Sequence, residues 1–299
     1  MTKPLTNIAA SVRTKLLAGA QARGEDFNLV LQRYAAERFL YRLGACRRRE
    51  HFVLKGAMLF ALWGGSMYRA TRDLDFTGYG DNTIQWLTEA VREICQTPCP
   101  TDGLMFKPDT IQAEPIRDES DYGGFRVRLD ALLDSARIKL QVDVGFGNAI
   151  VPGAQEQDYP TLVNGPTPRI RAYPREAVVA EKLHALVVLG SVNSRWKDFY
   201  DLYVLTTHFA FSGETLTMSI AATFERRKTA IPEALPVALT PTFFADEYRA
   251  GQWRAYLQRN GLPGAPADFA RVGERLRAFL GEPLRALDEQ ASFQRSWTP

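Results

Sequence analysis

Between positions 7 and 45, apolar side chains recur at helical intervals: Leu16, Leu17, Val30, Leu31, Tyr34, Phe39 and Leu40. Spacings of three and four residues line them along one side of a helix. Arg23-Gly24-Glu25-Asp26 interrupts the pattern, and Asp26 suits the N-cap of a second helix. At Phe52 the period changes. Phe52-Val53-Leu54 predicts a short buried strand, Lys55-Gly56 the opening of a helix, and Gly64-Gly65 a turn. A second strand carries Asp73-Leu74-Asp75. After it, Ile84, Leu87, Val91 and Ile94 share one face of a helix that runs through Cys95, with Asp81 or Asn82 as its cap.

Residues 103 to 145 switch to a period of two. Phe125 to Asp130, after a Gly123-Gly124 turn, alternates cleanly, and so does Ile138 to Val144. In the latter, Ile138, Leu140, Val142 and Val144 face a core, and Lys139, Gln141 and Asp143 face the other way. Gly147 to Pro168 has no period and reads as a linker or active-site loop. It divides a core with N-terminal helices, residues 1–165, from a mostly helical domain, residues 166–299. Pro174 suits the first turn of a helix over Arg175 to Leu189, striped by Val178, Val179, Leu183, Leu186 and Val187. Lys182 lies at the edge of that stripe. A helix over Asp198 to Leu205 sets Asp198, Asp201, Leu202 and Leu205 on one side, where Arg195 or Lys197 could pair with the acids. Residues 210 to 299 are helical with Pro-rich breaks and carry no legible chemistry.

The chemistry gathers on the polar faces of those strands. Alternation points Asp73 and Asp75 the same way, and two neighbouring carboxylates repel unless a cation sits between them. Mg²⁺ takes such oxygen ligands together with substrate phosphates. Lys55-Gly56, at a helix start, offers a cation and backbone N–H groups to a phosphate. Asp143 supplies a third carboxylate. Each motif alone is more often a solvated surface than a site; together they offer a metal site beside a phosphate site.

Composition narrows this only a little. The chain has 299 residues, 45% hydrophobic and 24% charged, which are ordinary values for one or two globular domains. A net charge of +3 does not announce nucleic-acid binding. The clusters Arg47-Arg48-Arg49 and Arg226-Arg227-Lys228 read first as solvated helix ends. Cys46, Cys95 and Cys99 are too few for a disulfide framework and have no histidine partners for zinc, which fits a reducing compartment. The N-terminal stretch has no apolar signal core, and Ala177 to Val192 is broken by Glu181, Lys182 and His184. A soluble cytoplasmic protein with no membrane partner is therefore expected.

In this order, several blocks resemble the AbiEii/AbiGii toxin family of nucleotidyltransferases, which includes the MenT-type toxins. They are Leu31 to Leu40, Phe52 to Phe60, Arg69 to Asp75, Lys139 to Asp143, Glu181-Lys182-Leu183 and Arg195 to Leu202. The resemblance covers roughly residues 10 to 205. It implies an α+β fold: a DNA polymerase β-like nucleotidyltransferase core, with a short mixed sheet flanked by helices, plus a C-terminal helical domain. By that likeness Asp73, Asp75 and Asp143 match the metal-binding acids, and Gly56 the helix-opening glycine. Ala57 stands where many relatives carry a Ser or Thr, which leaves phosphate contact to the backbone and Lys55. Thr71 matches a hydroxyl position before the first acid. Lys182 and Asp198 match positions used near the nucleotide and for activity, with Asp201 in support. The implied reaction moves a nucleotide from an NTP to an RNA, the 3′ end of tRNA, and so blocks translation, with a cognate antitoxin as partner. The same acids would serve a metal-dependent nuclease or phosphohydrolase, and a non-catalytic nucleotide- or partner-binding module is the third reading.

Overall fold

Asn7 starts the first helix, α1 (Ile8–Arg23), by accepting the Ala10 N–H, and Gly24 ends it in the left-handed region at φ 64°. This is a computed structural model, and it describes residues 7–64, 69, 71–116, 123–262 and 264–298. By internal packing the chain forms two units, residues 1–147 with 155–172 and residues 148–154 with 173–299.

In the first unit, Asp26 caps α2 (Phe27–Ala45) as predicted, its carboxylate accepting the Leu29 N–H at 2.9 Å. Then come β1 (Phe52–Lys55), a 3-10 turn over Gly56–Met58, and α3 (Leu59–Gly64). The predicted turn at Gly64-Gly65 is described only as far as Gly64, because Gly65 lies outside the described residues. β2 (Asp73–Gly78) precedes α4 (Ile84–Gln96). The cap of α4 is Thr83, whose hydroxyl accepts the Trp86 N–H, rather than Asp81 or Asn82. Asp81 is engaged otherwise: its carbonyl accepts the Thr83 N–H in the preceding turn.

β3 (Leu104–Ile116), β4 (Gly124–Leu133), β5 (Ala136–Phe146), β6 (Gln155–Asp158) and β7 (Arg169–Ala172) complete a seven-stranded sheet in the order β3-β4-β5-β2-β1-β7-β6. The β2–β5 and β1–β7 pairs are parallel and the rest antiparallel, so the sheet is mixed, as expected, and larger than a short one. β6 and β7 come from the stretch read as linker and from the residues just after it. One sheet face is apolar: Leu54, Phe76 and Val144 lie side by side in register, as do Leu74, Val142 and Val127. α2 and α4 cover this face, with Phe39 reaching Phe76 and Phe106 at ring-centroid distances of 6.5 and 5.9 Å. Each fully buried side chain of this size contributes about 1.5–3 kcal/mol to folding.

Polar side chains of α2 fasten the last strands to this unit. Buried Glu37 pairs with Arg38 at 2.5 Å and accepts the Leu162 N–H at 2.7 Å, and Arg38 donates to the Pro166 carbonyl at 2.9 Å. A Cβ on Gly44 would lie 2.2 Å from the Arg169 carbonyl oxygen, so only glycine lets α2 come this close to β7.

The second unit is mostly helical: α5 (Arg175–Leu189), α6 (Trp196–His208), β8 (Phe211–Ser212), α7 (Gly213–Arg226), α8 (Pro241–Ala245), α9 (Glu247–Asn260), α10 (Phe269–Asp288) and β9 (Ser296–Trp297). Pro174 occupies the N-cap of α5. Aromatic rings fill the core: Phe199 of α6 meets Phe243, Phe244 and Phe269 at 5.7, 5.8 and 5.5 Å. Trp253 of α9 is fully buried, and its indole N–H is satisfied by the Pro266 carbonyl at 2.9 Å. Among the described residues no helix is long and apolar enough to cross a membrane.

Candidate active site

Strand register assembles the candidate site in the first unit. Reading across the sheet, Glu114 of β3 lies opposite Arg126 of β4, Arg126 opposite Asp143 of β5, Asp143 beside Asp75 of β2, and Asp75 opposite Lys55 of β1. Residues paired directly across strands share a face. The five therefore form one rung with the charges −, +, −, −, +. Asp143 and Asp75 carry like charge on strands about 4.8 Å apart. Asp73 stands two residues before Asp75, on the same face, beside Gln141. The three aspartates read from the sequence do share one polar face, on half-buried positions.

The side chains give that face more detail than alternation alone. Arg126 grips Asp143 with both prongs, Nε to Oδ1 at 2.9 Å and NH2 to Oδ2 at 2.7 Å, and Gln141 Nε2 donates to Oδ2 at 3.3 Å. The Asp143 bond, with Asp73 and Glu114 nearby, pushes the Arg126 guanidinium above its ordinary range. Among the described residues no three His, Cys, Asp or Glu side chains form a ready shell for a metal ion. The donor set still fits a hard divalent cation. It is all oxygen, and it places carboxylates at paired positions on adjacent strands, ligands of the type such a cation takes.

Gly56 is fitted to this arrangement. Its φ is 75°, and a Cβ there would lie 2.2 Å from Asp75 Oδ2. A side chain at 56 and the present Asp75 carboxylate exclude each other. The predicted helix opening is a single 3-10 turn leading into the six-residue α3, so the dipole assistance read from the sequence is small. Thr71 Oγ1 donates to the Asp73 carbonyl at 3.5 Å, which braces the start of β2.

The second unit holds the other predicted residues as a cluster of their own. Lys182 Nζ of α5 lies 2.7 Å from Asp198 Oδ1 and 2.8 Å from Asp201 Oδ2, with both acids one turn apart on α6 and buried. Arg195 completes the charge balance at 2.8 Å from Asp198 Oδ2. Of the two cations offered by the sequence as partners, Arg195 is the one that pairs. Beside this cluster, His184 of α5 sits between Thr229 and Arg227, and a guanidinium can only donate. Nδ1 is therefore bare and the ring neutral, and burial together with the Arg227 charge lowers its pKa to about 4.

Arg128 of β4 and members of both basic clusters are engaged in ion pairs. Arg128 pairs with Glu114 at 2.7 Å. Arg47 and Arg48 share Glu93, whose carboxyl they hold down at about 2. Arg227 faces Glu181 and His184. Sequence reading missed Arg126 and Gln141 as partners of Asp143; alternation fixes which face they share but not which residue stands opposite. Burial pushes the Cys95 thiol up to about 12, so it packs as an unreactive core side chain. A cavity of about 410 Å³ in the second unit, lined by Tyr203, Thr207, Arg271, Glu274 and Arg275, includes none of the predicted residues.

No curated protein matches the sequence. Two crystal structures from Helicobacter pylori share the fold at 15% identity and a TM-score of 0.51. One, described as a candidate nucleotidyltransferase, aligns over 88% of this chain and 98% of its own; the other, JHP933, over 88% and 94%. The family model for the nucleotidyl transferase AbiEii toxin, of type IV toxin–antitoxin systems, matches residues 38–280, a span that contains the whole acid rung and the Lys182 cluster. The chain belongs to the AbiEii family of nucleotidyltransferases.

Proposed function

We propose that this protein is the toxin of a toxin–antitoxin pair and transfers a nucleotide from an NTP to an RNA acceptor, the 3′ end of tRNA, in a Mg²⁺-dependent reaction that blocks translation. The observation that carries the reading is the rung Glu114–Arg126–Asp143–Asp75–Lys55, with Asp73 beside it. Asp73, Asp75 and Asp143 would hold the metal, which when bound neutralises triphosphate charge and acidifies the acceptor hydroxyl. Lys55, at the end of the rung, would offer its ammonium to the triphosphate, and the bare Gly56 leaves room for the Asp75 carboxylate. Thr71 fixes the strand that presents Asp73. Lys182, Asp198 and Asp201 are assigned to nucleotide contact and activity by resemblance, and their mutual pairing supports a fixed ammonium position. Nucleotidyl transfer asks mainly for alignment and charge neutralisation, which a rigid sheet face provides. The family also implies a cognate antitoxin partner.

The test is incubation of the purified protein with each α-labelled NTP, Mg²⁺ and bulk tRNA, followed by separation of the RNA. Label joined to intact RNA supports transfer. Shortened RNA moves the assignment to a nuclease, and absence of turnover with any divalent metal moves it to a binding module. The Asp75→Asn variant is expected to lose at least about 10²-fold in rate, and full activity in that variant removes the site assignment.

A further inference from the structure

We propose that Arg126 is the resident counter-ion of Asp143, and that a divalent cation gains the third carboxylate of the acid face only by displacing this guanidinium. The inference rests on the proposed metal-binding reading of Asp73, Asp75 and Asp143, and it says how that site is kept closed.

Three observations converge on it. First, the guanidinium covers both oxygens of Asp143, at 2.9 and 2.7 Å, and Gln141 adds a donor to one of them. A bidentate fork is the strongest and most directional pairing a carboxylate makes with a side chain, and here it engages both Asp143 oxygens. Second, the fork is set by the backbone. Arg126 lies directly opposite Asp143 in the β4–β5 register, so the contact is built into the sheet rather than reached by a wandering surface chain. Third, the pair is accessible: the side chains are 33% and 15% exposed, so a hydrated ion can compete for Asp143 without opening the core.

The rung explains why the arginine is needed. Without it, Asp143 and Asp75 would stand as like charges at paired positions on neighbouring strands, with Asp73 two residues along. Arg126 relieves that repulsion when it pairs with Asp143, and a divalent cation would relieve it when bound there. The two cations are therefore alternatives at one place. On displacement, Arg126 stays on the same face, where a triphosphate would offer it a new anionic partner. Nucleotide and metal should then assist each other's binding, by the reciprocity of linked equilibria.

The experiment is a Mn²⁺ titration of the full chain without nucleotide, with free Mn²⁺ read by electron paramagnetic resonance. Thermal melts of each variant verify folding. Arg126→Gln is expected to tighten Mn²⁺ binding about tenfold over the unchanged protein. Arg126→Lys, a point charge unable to cover both oxygens, should fall between them. Adding Asp143→Asn to Arg126→Gln should erase the gain. Mn²⁺ affinity in Arg126→Gln and Arg126→Lys that is equal to or weaker than in the unchanged protein overturns the proposal. The Asp75→Asn variant separates the two ways of failing. If it loses Mn²⁺ while the Arg126 variants change nothing, the metal site stands and the counter-ion role is wrong. If Asp75→Asn leaves Mn²⁺ binding untouched in both backgrounds, the metal reading falls and takes this proposal with it.

Discussion

Gly56 and Lys182 show how single residues can be indispensable for different reasons. At Gly56, a methyl group meets two obstacles, a φ of 75° and the Asp75 carboxylate 2.2 Å from the added carbon. The first costs roughly 1–2 kcal/mol for an L-residue. The second has to be relieved by moving Asp75, and a displacement of about 1 Å at a reacting centre can cost about 10²-fold in rate. Gly56→Ala is thus expected to melt a few degrees lower yet lose most of its transfer activity, measured by a thermal melt and labelled-NTP assay on the same preparation. Lys182 differs, because its ammonium neutralises two buried acids. Lys182→Met should lower the unfolding free energy by about 3–5 kcal/mol, and adding Asp198→Asn should recover part of it in urea titrations. A stability unchanged by Lys182→Met would show that the ammonium is not needed to neutralise Asp198 and Asp201.

At the scale of elements, α5 and the turn after α7 meet through His184, which makes this contact sensitive to acid. Nδ1 accepts from Arg227, and Nε2 bonds the Thr229 hydroxyl. Burial disfavours the imidazolium, and protonation would also set an N–H against a guanidinium, so the folded-state pKa falls from 6.5 to about 4. The sign follows from proton counting. Between those two values the unfolded chain binds the proton and the folded one does not, so stability is fully present above pH 6.5 and declines as pH falls toward 4. The slope for one proton reaches at most ~1.4 kcal/mol per pH unit. Urea titrations across that range should display this decline, and His184→Gln should flatten it. Such contacts also mark what periodicity can and cannot tell. Helix caps and strand faces are local, so Asp26, α5 and the alternation of β4 and β5 were legible. β3 falls where the period of two begins but is not delimited as a strand by its sequence, because Pro108, Asp109 and Thr110 interrupt its alternation at the register shift between Lys107 and Gln112. β6 is Gln155-Glu156-Gln157-Asp158, wholly polar, with no hydrophobic signal to find. The pairing of Arg126 with Asp143 depends on register, a tertiary quantity, and the residues themselves reveal only a shared strand face.

At the scale of the molecule, the position of β7 makes the organisation testable. Residues 147–168 look like a linker because they lack period, but the chain returns to the first unit at 155 and leaves it after 172. What holds it is non-local: Glu37 and Arg38 bind residues 162 and 166, and the bare Gly44 admits the Arg169 carbonyl. β7 also lies between β1 and β6 in the sheet. A fragment ending at 165 therefore loses β7 and strips β6 of its partner. It also exposes the edge of β1, the strand that leads into Lys55 and Gly56, as a template for self-association. A fragment ending at 172 keeps all seven strands and the Glu37 network. Residues 1–172 are expected to be soluble and monomeric by size-exclusion chromatography, with a cooperative thermal transition. Residues 1–165 should aggregate, or melt without cooperativity. Equal behaviour of the two fragments would mean that β7 is dispensable to the sheet. A cooperative 1–172 fragment would also retain the whole acid rung, so it should keep the Mn²⁺ response of Arg126→Gln in the absence of the second unit.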